Sequence, residues 1–300
     1  ASTWSSTTNG QINITSTGEW EVANNWNKLG NDCLTHSYYG ITAIDSCTDV
    51  YFNETSLGAT VGNNFLCYCW RGCTSLSSMP TGFNLPTGIT TVGSGFLSDC
   101  WYNCTSLSSM PSGFNLPTGI TSVGDFFLYY CWFGCKSLTS MPVGFNLPTG
   151  ITSVGDRFLE ACWQGCTSLT SMPAGFNLPT GITSVGDDFL RACWINCTSL
   201  TSMPSGFNIP TGITSVGSSF LRGCWYGCTS LTSMPVGFNL PTGITSVGSN
   251  FLYQCWWNCT LLKADGYTED IYFKYAATNA FGGTCPITPD SPTAGSSVAV

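Results

Sequence analysis

The sequence predicts a repeat solenoid of short parallel strands and small helical turns, capped at both ends. Three observations carry that reading. The motif Cys-Trp-x-x-Cys recurs seven times, every 31 residues. Its leading cysteines are Cys69, Cys100, Cys131, Cys162, Cys193, Cys224 and Cys255, and its trailing ones Cys73, Cys104, Cys135, Cys166, Cys197, Cys228 and Cys259. No insertion or deletion separates the copies, and a fixed period of this length is the signature of coils stacked one on the next. Hydrophobic residues make up 43% of the 300 residues, enough for a continuous core, while charged residues make up 8%, against about a quarter in ordinary soluble proteins. If every coil follows one path, like residues fall into columns.

The best-formed unit runs from Cys166 to Asn196. Two short extended segments are expected in it, Ser168 to Met172 with Leu169 and Met172 inward, and Ile182 to Val185. Apolar residues three apart fit a path that bends repeatedly better than a flat strand of period two. Pro173, Gly175, Pro179 and Gly181 mark the turns between them. The run Phe189-Leu190-x-x-Cys193-Trp194-x-x-Cys197 has the spacing of one or two helical turns, which would place Phe189, Cys193 and Cys197 on one face. The repeat array covers residues 56–262. Residues 1–55 are read as an N-terminal cap, with strand material around Ile12 and Ile14, and residues 263–300 as a C-terminal cap and tail, with Ile271 to Tyr275 as an edge strand or short helix. Caps are required because a bare end exposes core and strand edge.

The formal net charge is -8. Phosphate contacts need clustered Lys and Arg, and here Arg71, Lys136, Arg157, Arg191 and Arg222 are scattered, so nucleic acid is not an expected partner. No run of about 20 apolar residues is present, so no membrane span is expected. No signal peptide is visible at Ala1, and the numbering is expected to begin at the mature end left after cleavage behind a small residue. Eighteen cysteines accompany one histidine, a composition that points to an oxidising, extracellular compartment. A surface so poor in charge lacks the repulsion that keeps copies apart.

The run Cys-Thr-Ser-Leu-Thr-Ser-Met-Pro, followed by Ile-Thr-Ser-Val-Gly-x-x-Phe and then Cys, resembles bacterial surface leucine-rich repeats of the BspA-like kind. The resemblance covers roughly residues 58–262 and rests on Leu76, Met79, Pro80, Ile89, Val92, Gly93, Phe96, Cys100 and their echoes. It departs in length, since the unit here is 31 residues and the usual one is shorter. The resemblance implies a leucine-rich-repeat-like solenoid at the cell surface with a role in adhesion or binding, and it does not imply catalysis.

An i,i+4 cysteine pair on a helical turn lies about 6 Å apart at Cα, within disulfide range, so a bridge within each of the seven motifs is expected. Pairing between neighbouring coils and an unbridged column of thiols are the alternatives. Cys33 and Cys47 are read as a clip in the N-terminal cap. Cys67 and Cys285, at opposite ends of the array, are candidates for a bond between copies stacked head to tail. The tryptophan column from Trp70 to Trp256 is read as core or groove lining, with an exposed ligand-binding row as the alternative. The phenylalanine columns, Phe83 to Phe238 and Phe65 to Phe251, are read as core. Asn84 and its echoes are read as satisfying backbone groups along the stack.

Variation clusters after the Val-Gly step, between Leu and Cys, and after Trp. Ser98-Asp99, Tyr129-Tyr130, Glu160-Ala161, Arg191-Ala192, Arg222-Gly223 and Tyr253-Gln254 are examples, expected to form one solvent-facing flank. Catalysis has little support: His36 stands alone, and Asp187-Asp188 and Glu269-Asp270 read as surface charge. No cofactor or metal site is expected. The carboxylates of Asp125, Asp156 and Asp187 form a short column, a weak calcium candidate interrupted by Ser94, Ser218 and Ser249. The recurring Leu-Pro-Thr-Gly reads as a turn. Asn13, Asn53, Asn103, Asn196 and Asn258 open Asn-x-Ser/Thr acceptors. The functional expectation is an extracellular structural protein that assembles head to tail with copies of itself. The alternative is a monomeric adhesin whose flank binds host protein or glycan.

Overall fold

The computed structural model describes residues 28–29, 60–79, 83–85, 87–238, 240–263 and 280. Cys33, Cys47, Cys285, His36 and the expected cap strands lie outside them. The described chain is a stack of coils. Strands β1 (Lys28–Leu29), β2 (Thr60–Val61), β3 (Thr91–Val92) and β4 (Ser122–Val123) pair in parallel in that order. The register between β2 and β3 sets Thr60 against Thr91 and Val61 against Val92, a shift of one repeat. Further along, the same line of the coil continues as single bridges, Ser153 to Ser184 and Ser215 to Ser246. A second line runs through Ser78, Ser109, Ser140, Ser171, Ser202 and Ser233. The two extended segments expected in each unit are these two lines. Leu169, Met172, Ile182 and Val185 all point inward.

Like residues do sit over like residues. Successive tryptophans stack nearly parallel, Trp101 on Trp132 at 5.3 Å between ring centroids and Trp163 on Trp194 at 5.5 Å. Phe83 and Phe114 meet Trp101 edge-on, at 6.2 and 5.8 Å. The other phenylalanine column stacks on itself, Phe96 on Phe127 at 5.5 Å. Parallel coils make these contacts repeat, and each aromatic pair adds about 0.5–1.5 kcal/mol beyond the area it buries. The tryptophans are wholly interior, so the exposed-row alternative does not hold.

The Phe-Leu-x-x-Cys-Trp-x-x-Cys segment is not helical. It is a ribbon of overlapping turns in which Ser98, Cys100, Tyr102 and Cys104 donate N–H bonds to the carbonyls of Gly95, Leu97, Asp99 and Trp101. The intervening N–H groups of Asp99, Trp101 and Asn103 donate to Tyr129, Cys131 and Phe133 of the next coil, at 2.7–2.8 Å. Peptide groups therefore alternate between closing a turn and joining the stack. That alternation requires positive φ at Leu97, Asp99 and Asn103, at 55°, 53° and 56°. A left-handed residue other than Gly costs about 1–2 kcal/mol, which the bonds between coils offset. A helix would spend every N–H within its own coil and leave the next coil unpaired.

The last of these left-handed positions explains a column of the sequence. It holds Gly72, Asn103, Gly134, Gly165, Asn196, Gly227 and Asn258, all at φ between 55° and 77°. Gly and Asn are the residues that tolerate this conformation. Three of the glycosylation-type triplets, those at Asn103, Asn196 and Asn258, thus arise where backbone geometry already asks for Asn.

The described cysteines are thiols. All fifteen described ones, including Cys67 and both members of every motif, are buried and unbridged. The pairing expected within each motif presupposed a helical face, and the turn ribbon removes it. The trailing thiols are aimed along the stack instead: Cys104 donates to the carbonyl of Trp70 at 3.0 Å and Cys135 to that of Trp101 at 3.1 Å. Burial pushes the thiols of Cys100 and of the motif cysteines from Cys131 to Cys255 up, Cys228 to about 12, so these stay protonated and unreactive at neutral pH.

Candidate functional site

The residue before Phe, the two between Leu and Cys, and the residue after Trp form four columns along the outer side of the turn ribbon. The interior demands the same side chain in every coil, and these columns are released from that demand. In the first five coils they carry aromatic rings and ion pairs that cross from coil to coil.

The first cluster lies over coils one to three. The Arg71 guanidinium pairs with Asp99 Oδ1 at 2.6 Å. It also sits 4.1 Å over the ring of Tyr102 and 5.2 Å over that of Tyr68. Ser98 Oγ donates to Asp99 Oδ2 at 3.0 Å. Tyr102 stacks on Phe133 at 4.6 Å and 4°, and Tyr130 lies tilted beside Phe133 at 5.2 Å. Asp99 itself is 3% exposed. Burial raises its carboxyl from the usual range to about 6, although Ser98 and Arg71 both favour the charged form.

The second cluster lies over coils three to five. Glu160, 2% exposed, accepts from Arg191 at 2.8 Å and has Arg157 Nε at 3.9 Å. Asp188 faces both guanidiniums, at 3.9 and 3.7 Å. Arg157 lies 5.3 Å over Phe126 and 5.8 Å over Tyr129, and Tyr129 meets Tyr130 edge-on at 4.2 Å. Burial raises Glu160 to about 7, against the pull of Arg191. Burial also raises Tyr129 and Tyr130, with Glu160 contributing to both. Past coil five the pattern thins to Arg222 over Tyr253 at 5.6 Å.

The structure gathers the variable positions of the turn ribbon on one flank, with one correction. They were expected to be solvent-facing, and Ser98, Asp99, Glu160 and Ala161 are buried. The carboxylates lie behind a screen of arginines and rings rather than at the surface. The sequence reading also left the pairs unidentified. Arg71 with Asp99, 28 residues apart, and Arg191 with Glu160, 31 apart, are opposite charges about one repeat apart, which is the signal that identifies them.

Other candidates have structural roles. Asp125 Oδ1 accepts the backbone N–H of Asp156 at 2.9 Å, and Asp156 serves Asp187 in the same way at 2.8 Å. The carboxylate column therefore joins coils. Among the described residues no group of three or more His, Cys, Asp and Glu is placed to hold a metal ion. Asn84 Oδ1 accepts from Leu85 and Asn115 N–H, and its amide donates to the Gly113 carbonyl. A shallow groove of about 380 Å³ beside Asn84, Thr87, Asn115 and Thr118 is thus lined by amides already in use. No described helix is long and apolar enough to cross a membrane.

Comparison with curated proteins finds no match. Among solved structures, a leucine-rich repeat protein of T. pallidum is 19% identical, covering 74% of this chain and 79% of its own at a TM-score of 0.42. One from Bacteroides ovatus is 18% identical over 85% of this chain and 68% of its own, with a TM-score of 0.31. A leucine rich cell surface protein of Faecalibacterium prausnitzii is 15% identical over 89% and 80%, at 0.23. The family model described as BspA type leucine rich repeat region matches residues 63–258 in six copies. That span takes in the stacked columns and the flank together, and the chain belongs to the BspA-type leucine-rich repeat family.

Proposed function

We propose that the chain is a cell-surface recognition protein that binds a protein partner through the flank spanning Tyr68 to Arg191. One observation carries this reading. In a molecule whose interior columns repeat almost without change, the variable positions of the turn ribbon converge on one face, and in its first five coils they include tyrosine, phenylalanine and arginine. These residues dominate the energetics of protein interfaces, and lysine is depleted there. Arg71, Arg157 and Arg191 are held in place by buried carboxylates, so little side-chain entropy remains to be lost on binding. Export to the cell surface follows from the family and is part of the proposal.

Beads coated with the protein test the reading by their adhesion to a panel of cell layers. The triple variant Tyr102→Ser, Tyr130→Ser and Phe133→Ser should lose adhesion at least tenfold while its circular dichroism is unchanged. Equal adhesion of the folded variant would remove the flank from the function.

Head-to-tail assembly is the second reading. It is supported by parallel hydrogen bonding that continues past the array, through Lys28–Leu29 at one end and through the Trp256 N–H donated to Ala280 at 2.8 Å at the other. A rung from another copy would add beyond these pairings or displace them. Electron microscopy at high protein concentration distinguishes filaments from dispersed stacks.

A further inference from the structure

The flank holds two carboxylates in an arrangement that recognition alone does not need. Asp99 and Glu160 are almost wholly buried, yet each is the counter-charge of arginines that are themselves partly exposed. The side-chain exposures are 29% for Arg71, 41% for Arg157 and 35% for Arg191. In Glu160, Oε1 takes the short bond from Arg191, whereas Oε2 is buried without a hydrogen-bond partner. A charged oxygen left this way is costly, and a proton on Oε2 removes the cost. The groups facing Glu160 are Arg157 on its own coil, Asp188 and Arg191 on the next, and Tyr129 and Tyr130 on the preceding one. Those facing Asp99 are Arg71, Ser98, Tyr130 and the buried thiol of Cys131. Asp125, Asp156 and Asp187 stand on the adjoining column, where Oδ1 of each accepts a backbone N–H of the next coil.

We propose that protonation of Glu160 and Asp99 gates this flank, so that in mildly acidic surroundings its arginines are released to bind an acidic polypeptide. The proposal rests on the recognition reading above and assigns its regulation and the chemistry of its partner. At alkaline pH, Arg71, Arg157 and Arg191 face Asp99, Glu160 and Asp188, three charges against three. When Glu160 and then Asp99 take up protons, Asp188 alone remains, and the guanidinium N–H groups become available to carboxylates from outside. Guanidinium binds carboxylate through paired, charge-assisted hydrogen bonds, so the gain goes to an acidic chain. Burial places the two transitions near pH 7 and pH 6, where a modest acidification completes both.

Two measurements on the full chain test this. Carbon-13 carboxyl shifts in Asp- and Glu-labelled protein should show Glu160 titrating near 7 and Asp99 near 6. Titration of both near 4 overturns the gate, whatever the flank binds. The second measurement is binding to immobilised poly-L-aspartate at fixed ionic strength, at pH 8 and pH 6. The wild type should bind about tenfold tighter at pH 6, the order of one charge-assisted hydrogen bond. The double variant Glu160→Gln, Asp99→Asn keeps the shapes and removes both titrations, and it should bind tightly at either pH. A wild type indifferent to pH overturns the proposal. So does a folded double variant that keeps the dependence, because His36 and every other titrating group remain in it. Correct titration with no poly-L-aspartate binding at either pH instead overturns the partner chemistry, and the recognition reading is judged separately by bead adhesion.

Discussion

The interior columns and the outer flank follow the same backbone path and answer to opposite constraints. Inside, Trp163 is packed between Trp132 and Trp194 and edge-on to Phe176, so a change in one coil is felt in two others. Outside, the residue after Trp is Arg71, Tyr102, Phe133, Gln164, Ile195, Tyr226 and Trp257 in successive coils, and the path does not change. The difference teaches that stacking fixes a residue when its neighbours are copies of itself, and frees it when one side is solvent.

Trp163→Ala should break the comparison hardest. It removes a wholly buried indole and its contacts with both neighbouring coils, at a cost of about 3–5 kcal/mol. In a stack held by nearest-neighbour contacts, the damage should divide the array. Urea denaturation should then show two transitions where the wild type shows one, and a single wild-type-like transition would mean that the tryptophan column is not the source of cooperativity.

A second test exploits glycines of different surroundings. A Cβ on Gly155 would strike Asp125 Oδ1 and come within 2.9 Å of its backbone nitrogen, whereas one on Gly175 would meet nothing within 4 Å. Gly155→Ala should cost about 1–3 kcal/mol by forcing the coils apart. Gly175→Ala should change stability by less than about 1 kcal/mol, and its sign should be favourable if anything. Equal effects in thermal denaturation would contradict the tight approach at the Val-Gly step.

Much of this was legible in the sequence, for a physical reason. A fixed period turns every interior contact into a column, so Leu169, Met172, Ile182 and Val185, the phenylalanines and the Asn84 ladder are identified as inward or as ladder residues by repetition alone. The path of the turn ribbon was not legible. The spacing of Phe189, Cys193 and Cys197 fits a helix equally well, and only bonds between coils, such as Trp101 N–H to Cys131, decide against it. The pairing of Arg71 with Asp99 and of Arg191 with Glu160 was hidden because a period announces what repeats, and these contacts occur once each. The oxidising compartment inferred from the cysteine count also loses its warrant, since buried protonated thiols are stable in either redox setting.

On the flank, the expected effect is a pH slope. Glu160 and Asp99 titrate near 7 and 6 when folded, above their ordinary values of 4.5 and 3.8. Between those limits the folded chain binds more protons than the unfolded one, so stability rises as pH falls and is lost as pH climbs through the folded values. Going from pH 8 to pH 6 should add about 1–2 kcal/mol, seen as a higher urea midpoint. Glu160→Gln should flatten most of this slope, and Trp163→Ala should leave it unchanged, which separates the two regions by pH alone.

The finest distinction concerns the thiols. If the ladder is a column of small buried hydrophobes, Cys131→Ala removes one sulfur atom from a packed site and should cost about 1 kcal/mol, near the value of one buried methylene. Were Cys131 bridged to Cys135, the same substitution would break a crosslink, for which about 2–5 kcal/mol is typical. The two also differ in count. Iodoacetamide should leave the native ladder unmodified and label it fully after unfolding without reductant, while bridged cysteines would stay unlabelled in both. An alanine cost of 1 kcal/mol together with full labelling would show that the column is held by the coils around it, and that the coils do not need the sulfurs to be joined.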